Sequence, residues 1–157
     1  MKIYPLKKYS FVFINERSKA ISELQKETLS DEQFVSDWNK QTFIGKINEP
    51  NFELKLSKNL YGSFCVFKGS LNEKNGTLEI EINKIFKVIL FAIFLFPIFG
   101  LITSLFKNGF KNSIELFLPT IFFIIILRFI FIELAFRIIS KIGIEKLNRI
   151  IAIEKYI

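Results

Sequence analysis

The stretch VILFAIFLFPIFGLITSLF, residues 88–106, carries no charged side chain across 19 positions. At roughly 1.5 Å per residue, a helix of this length covers about 28 Å, close to one hydrocarbon core. A soluble helix must show water one polar face, and this run offers only Thr103 and Ser104 near one end. A second apolar run, residues 114–136, is interrupted by charge only at Glu115, Arg128 and Glu133. Between the two lies KNGFKNS, residues 107–113, with Asn108-Gly109 as its breaker. The pattern predicts a transmembrane helical hairpin over residues 85–136. Pro97 is expected to kink the first helix. Pro97, Pro119 and Arg128 would also suit a wedge that enters and returns from one side.

The flanks give an orientation. Lys68, Lys74, Lys84 and Lys87 precede the first run, and Arg137, Lys141, Lys146 and Arg149 follow the second, while the loop has only Lys107 and Lys111. By the positive-inside rule both termini are expected in the cytoplasm, with the chain multi-pass in the cell inner (plasma) membrane. YSFVFI at residues 9–14 is too short for a signal-peptide apolar region. Cys65 then faces a reducing compartment and reads as a small core residue.

Charges inside the hairpin are the candidate site. Arg128 lies within about 8 Å of the middle of the second run, where an unpaired charge costs on the order of 3 kcal/mol. If the hairpin folds about Phe110, Arg128 falls opposite Ala92 and Glu133 opposite Lys87. Glu133 is five residues beyond Arg128, about 140° round an α-helix, which makes it a poor partner in its own helix. Arg128 either snorkels to headgroups or meets a partner or an acidic lipid. Arg128, Glu133 and Lys87 are therefore the candidate intramembrane interaction residues.

Residues 1–84 are different in kind, with 13 Lys/Arg and 11 Asp/Glu. Residues 9–14 read as a strand. Asn15 is placed to cap a helix through Leu29, with Ala20, Ile21, Leu24 and Thr28 on one face. Ser30 to Gln33 forms a capping box for a short second helix bearing Phe34, Val35 and Trp38. Then comes a repeat. FIGKINE at residues 43–49 recurs as FKGSLNE at residues 67–73, and each copy leads through a turn into an alternating strand, FELKL or LEIEI. Two antiparallel hairpins follow, turning at Pro50-Asn51 and Asn75-Gly76. Gly45 and Gly69 read as bulges or as room for a bulky Phe across the ladder. Glu53, Glu79 and Glu81 fall on solvent faces. The fold class expected is α+β, a small antiparallel-sheet domain followed by the hairpin. Residues 137–157 read as a basic amphipathic tail, broken at Gly143 or ending in a strand within residues 150–157.

Composition prunes function. The chain of 157 residues has no His and one Cys. That excludes His-based triads, imidazole zinc sites, intrachain disulfides and iron–sulfur clusters. No phosphate-binding glycine loop is present, and a net of only +2 over residues 1–84 argues against nucleic acid. No enzymatic activity and no cofactor is expected.

The order of elements, with F-x-G-x-[IL], the segment YGSFCVFKGSL, N-G-T-L-E-I, an apolar hairpin and a basic tail, resembles small bacterial two-span membrane proteins with a cytosolic β-rich domain, including the YcxB-like group. The resemblance covers roughly residues 40–140. It implies architecture and brings no catalytic residues. The expected role is a non-enzymatic integral membrane protein presenting an α+β domain at the inner leaflet for partner or lipid binding, with a protein partner or a second copy. The alternatives are an immunity or inhibitor protein against a membrane-acting toxin, or an accessory subunit of a membrane transport complex.

Overall fold

A computed structural model of the chain describes residues 4–30, 41–57 and 62–156, without the side chains of residues 108 and 111–114. The described residues form an α+β fold in two compact units. One comprises residues 1–83 and 136–157, the other residues 84–135. The C-terminal tail thus folds with the first domain rather than standing apart from it.

The first unit is a mixed seven-stranded sheet. Its strands are β1 (Leu6–Phe13), β2 (Thr28–Ser30), β3 (Phe43–Asn48), β4 (Asn51–Leu56), β5 (Cys65–Leu71), β6 (Asn75–Ile82) and β7 (Ile153–Tyr156), in the order β2-β3-β4-β5-β6-β1-β7. Only β2 and β3 are parallel; the other ladders are antiparallel. Strand alternation sorts the side chains into two faces. Phe11, Phe43, Leu54, Phe67, Leu78, Ile80 and Ile82 are buried on one. The other carries Lys8, Lys68, Glu79 and Glu81, joined by ion pairs Lys8–Glu79 and Lys68–Glu81, both 2.7 Å. The hydrogen bond to Glu81 raises the Lys68 pKa against a smaller opposing effect of desolvation.

Helices α1 (Arg17–Lys26) and α4 (Glu133–Ile151) bury stripes at helical spacing, Ala20, Ile21 and Leu24 on α1 and Phe136, Ile139, Gly143, Leu147 and Ile151 on α4. The charged sheet face stays open, so both stripes close the apolar one. Lys7 fixes α4 from the sheet: its ammonium donates to Ser140 Oγ at 3.1 Å and lies 5.5 Å from the Phe136 ring centroid. Ser140, fully buried, in turn donates to the Arg137 carbonyl.

Several expectations change in detail. The first helix is shorter than expected: Glu16, not Asn15, is its N-cap, and it makes no side-chain cap bond. Its end comes at Lys26 because Leu29 is drawn into pairing with Ile44 of β3 and buried there. Ser30, expected to open a capping box, closes β2 opposite Gly45, and the rest of the box with its short helix falls on residues 31–40, outside the described residues. Both hairpins of the repeat are present, but their turns are displaced. The first is Glu49-Pro50, with a cis peptide, closed by the pair Asn48–Asn51. The second is 72–74: Asn72 N–H donates to the Asn75 carbonyl at 2.8 Å, and Gly76 already pairs with both Leu71 and Phe11. Gly76 is held in the ladder because the Phe11 ring lies over it, in the space a Cβ would need.

Gly143 does not break α4. The helix runs on to Ile151, and Gly143 is the socket for the Phe67 ring, which a Cβ would overlap. Gly69 plays the same part for Phe52, its partner across the β4–β5 ladder. The chain then turns at Ala152, φ 55°, into β7, so the tail ends in a strand beside β1.

The second unit begins at Lys84, immediately after Asn83, whose N–H donates to the Phe64 carbonyl and whose amide donates to the Ser63 carbonyl. Helix α2 (Lys84–Ser113) keeps helical backbone angles through Pro97 and departs from them only at Gly109, φ 73°. The breaker at Asn108-Gly109 is therefore where it was expected. The second apolar run is not one α-helix. It comprises a 3₁₀ turn (Ile114–Leu116), α3 (Phe117–Ile126), a π-helical turn (Leu127–Ile132) and the start of α4. Among the described residues one helix, Lys84–Lys107, is long and apolar enough to cross a membrane.

Two predictions follow from this packing. Gly143→Ala should destabilise the protein by about 1–3 kcal/mol through overpacking against a ring that has no room to retreat. Adding Phe67→Ala should make the pair less than additive in urea melts. Burial pushes the Cys65 thiol up to about 12, with nearby Lys7 opposing the shift. The raised value means the native state keeps a proton that the unfolded chain releases, so this contribution is complete below about pH 8.5 and is lost as pH rises towards 12. Iodoacetamide at pH 8 should leave Cys65 unmodified in the folded protein and alkylate it in urea.

Candidate functional site: an ion pair on a π turn

The residues singled out as an intramembrane site are Arg128, Glu133 and Lys87. Arg128 lies in the π turn Leu127–Ile132, and Glu133 is the first residue after it. Backbone angles stay in the right-handed helical region at both junctions, Leu127 and Glu133, so the helix is continuous through the turn. Lys87 lies in the first turn of α2 and is partly exposed.

The structure gives Glu133 a partner in its own helix, which corrects the expectation for that pair. Arg128 Nη1 lies 3.8 Å from Glu133 Oε2. The physical reason is the widened turn. An α-helix puts residues five apart on different faces, whereas a π turn closes i→i+5 and stacks them. The pair is a Coulombic contact rather than a hydrogen bond, because 3.8 Å exceeds the 2.7–3.2 Å of N–H···O geometry. The guanidinium carbon also lies 5.4 Å from the Phe129 ring centroid. The side chains are 15% and 31% exposed, so the pair is sheltered by its apolar neighbours more than a surface pair would be.

Those neighbours are exposed. Phe129, Ile130 and Phe131 are each more than half exposed, and only Ile132 of the turn is buried. The same holds along the unit: Phe96 is 80%, Phe106 87% and Leu118 77% exposed. A charge pair set in an exposed apolar surface can do two things chemically. It can cancel its own charge in a low-dielectric surrounding, or it can open to offer a guanidinium to an anion and a carboxylate to a cation.

The open face of the sheet is the other place where polar groups gather. Two depressions on it share Asn51, Lys68 and Gly69, and the one towards β3 is lined also by Lys46, Asn48, Phe52 and Glu53. Its charges alternate in sign from strand to strand, through Lys46, Glu53, Lys68, Glu79 and Lys8, the arrangement of a solvated sheet surface. Among the described residues, no three His, Cys, Asp or Glu side chains come together as metal ligands would.

Sequence reasoning found Arg128 and Glu133 as individuals and missed their pairing. The available signal was the spacing itself, opposite charges five apart in an otherwise apolar run. Comparison with protein-family models, curated proteins and solved structures finds no match to this chain.

A double-mutant cycle reads the pair. Arg128→Leu and Glu133→Leu should each lower the melting temperature in mild detergent more than the double variant's value implies by addition. The coupling should exceed the roughly 0.2–1 kcal/mol of exposed surface pairs, because the apolar neighbours shelter both charges.

Proposed function

We propose that this chain is a non-enzymatic, membrane-anchored interaction protein, an α+β domain held at a bilayer by the apolar insert of residues 84–135. One observation carries the reading. Among the described residues of the insert only Ile132 is buried and most of the large apolar side chains are exposed, while the domain it interrupts has an ordinary closed core. An apolar surface of this extent in water would drive aggregation, whereas in lipid it needs no cover.

Topology supports the same reading. Residues on both sides of the insert fold into one unit, so a chain that enters a bilayer after Asn83 must be back on the starting side by Phe136. Two crossings meet that demand, and so does a re-entrant loop; one crossing does not. The flanking basic residues favour the cytoplasmic side for the domain, which is also what the likeness to two-span membrane proteins implies. The π-turn ion pair suits the insert, because pairing offsets a cost on the order of 3 kcal/mol for each charge left alone in hydrocarbon. The partner is then a protein or a second copy that meets the domain or the insert.

Two measurements test this. The protein should stay with membranes through alkaline carbonate extraction; release into the supernatant would sink the anchor. With Cys65 buried, Asn108→Cys supplies the reactive thiol, and an impermeant maleimide should label it from the outer face of spheroplasts. Labelling only in inside-out vesicles would replace the spanning hairpin by a re-entrant one.

A further inference from the structure

The pair on the π turn sets two opposite charges side by side near one end of the insert. Arg128 Nη1 and Glu133 Oε2 lie 3.8 Å apart, a Coulombic contact without a hydrogen bond between those groups. Phe136 is the first residue of the returning chain that belongs to the sheet-bearing unit. Along a continuous helix Arg128 is at most about 12 Å from it, and Glu133 about 4–5 Å. Half a hydrocarbon core is about 15 Å thick. In an insert that ends in water at Phe136, both side chains therefore lie in the outer part of one leaflet, within reach of its headgroups.

We propose that Arg128 and Glu133 form a headgroup site selective for phosphatidylethanolamine, in which the guanidinium donates to the lipid phosphate and the lipid ammonium donates to the Glu133 carboxylate. The inference rests on the membrane-anchored reading and names a lipid for its insert. The chemistry of the two side chains selects that headgroup. A guanidinium meets a phosphate through parallel N–H donors. In phosphatidylethanolamine an ammonium stands only a two-carbon arm away from the phosphate, so one headgroup meets a neighbouring cation and anion together. Its ammonium brings three N–H donors, like that of a lysine, to the carboxylate. The trimethylated ammonium of phosphatidylcholine brings none. Phosphatidylglycerol brings a net negative charge to Glu133 and no cation to answer it. The pair thus exchanges one long contact for charge-assisted hydrogen bonds, which are roughly twice as strong as neutral ones.

The test uses the full chain in mild detergent, titrated with five short-chain lipids while native mass spectrometry reads their occupancy. These are phosphatidylethanolamine, its N-methyl and N,N-dimethyl derivatives, phosphatidylcholine and phosphatidylglycerol. The first four keep the same charges and remove the N–H donors one at a time. Expected is about ten-fold tighter binding of phosphatidylethanolamine than of phosphatidylcholine, declining along the series, with phosphatidylglycerol no tighter than phosphatidylcholine. Glu133→Gln should flatten the series, Arg128→Gln should weaken every lipid in it, and Lys8→Gln on the open sheet face should change nothing. The methylation series needs no variant, so it decides even where Glu133→Gln does not fold. Equal binding of phosphatidylethanolamine and phosphatidylcholine would overturn the site. Tighter binding of phosphatidylglycerol than of phosphatidylethanolamine would do the same, as would a preference that survives in folded Glu133→Gln. Flotation on phosphatidylcholine vesicles reads the anchor separately. Protein that floats without the preference loses the site and keeps the anchor; protein that does not float loses both.

Discussion

The pairing of β7 with β1, Val12 opposite Lys155 and Phe11 opposite Tyr156, is the constraint on which the rest of this structure depends. It joins the last described strand to the first and makes the sheet from chain on both sides of the apolar insert. The aromatic contacts of Tyr156 with Tyr9 and Phe11, at 5.6 and 6.3 Å between ring centroids, add packing to the ladder. Loop closure on this scale costs entropy that grows only slowly with length, so an insert of some fifty residues is tolerated if its ends are held. Asn83 holds one end through two hydrogen bonds to the segment before β5, and α4 holds the other against Phe67.

The sheet divides its labour by face. One side is a dense layer in which phenyl rings lie over glycines, Phe52 on Gly69 and Phe67 on Gly143. The other is a ladder of opposite charges that needs no cover. A two-layer domain results, closed on one side by helices and open to water on the other. No comparable division exists among the described residues of 84–135, where most large apolar side chains point outward and two of the interrupting charges, Arg128 and Glu133, meet at the π turn.

How far the fold was legible depended on whether a pattern was local. The F-x-G repeat and the alternation in FELKL and LEIEI identified β3 to β6, because strand period and burial are written residue by residue. Asn75-Gly76 misled because its turn propensity lost to the Phe11 ring, a neighbour on a strand more than sixty residues away. Gly143 looked like a breaker for the same reason: its partner, Phe67, is remote in sequence. Leu29 left the helical pattern for a parallel pairing that no short window encodes. The candidate site was legible as charges and illegible as geometry. Nothing in LRFIFI distinguishes a π turn from an α turn, since the difference is one hydrogen-bond register.

The seating of Phe67 over Gly143 has a consequence for how this chain can vary. A helix indexed at one glycine cannot pass an added or missing residue through that point, because every side chain beyond it would move about 100° round the axis. Length changes in the second apolar run must be absorbed before residue 136. The turn at Leu127–Ile132 is such a place, holding one residue more than an α turn of the same rise. Removing a single residue there exchanges π for α winding and leaves the seated end in register. The fold thereby separates a part that can absorb a one-residue deletion from a part that cannot.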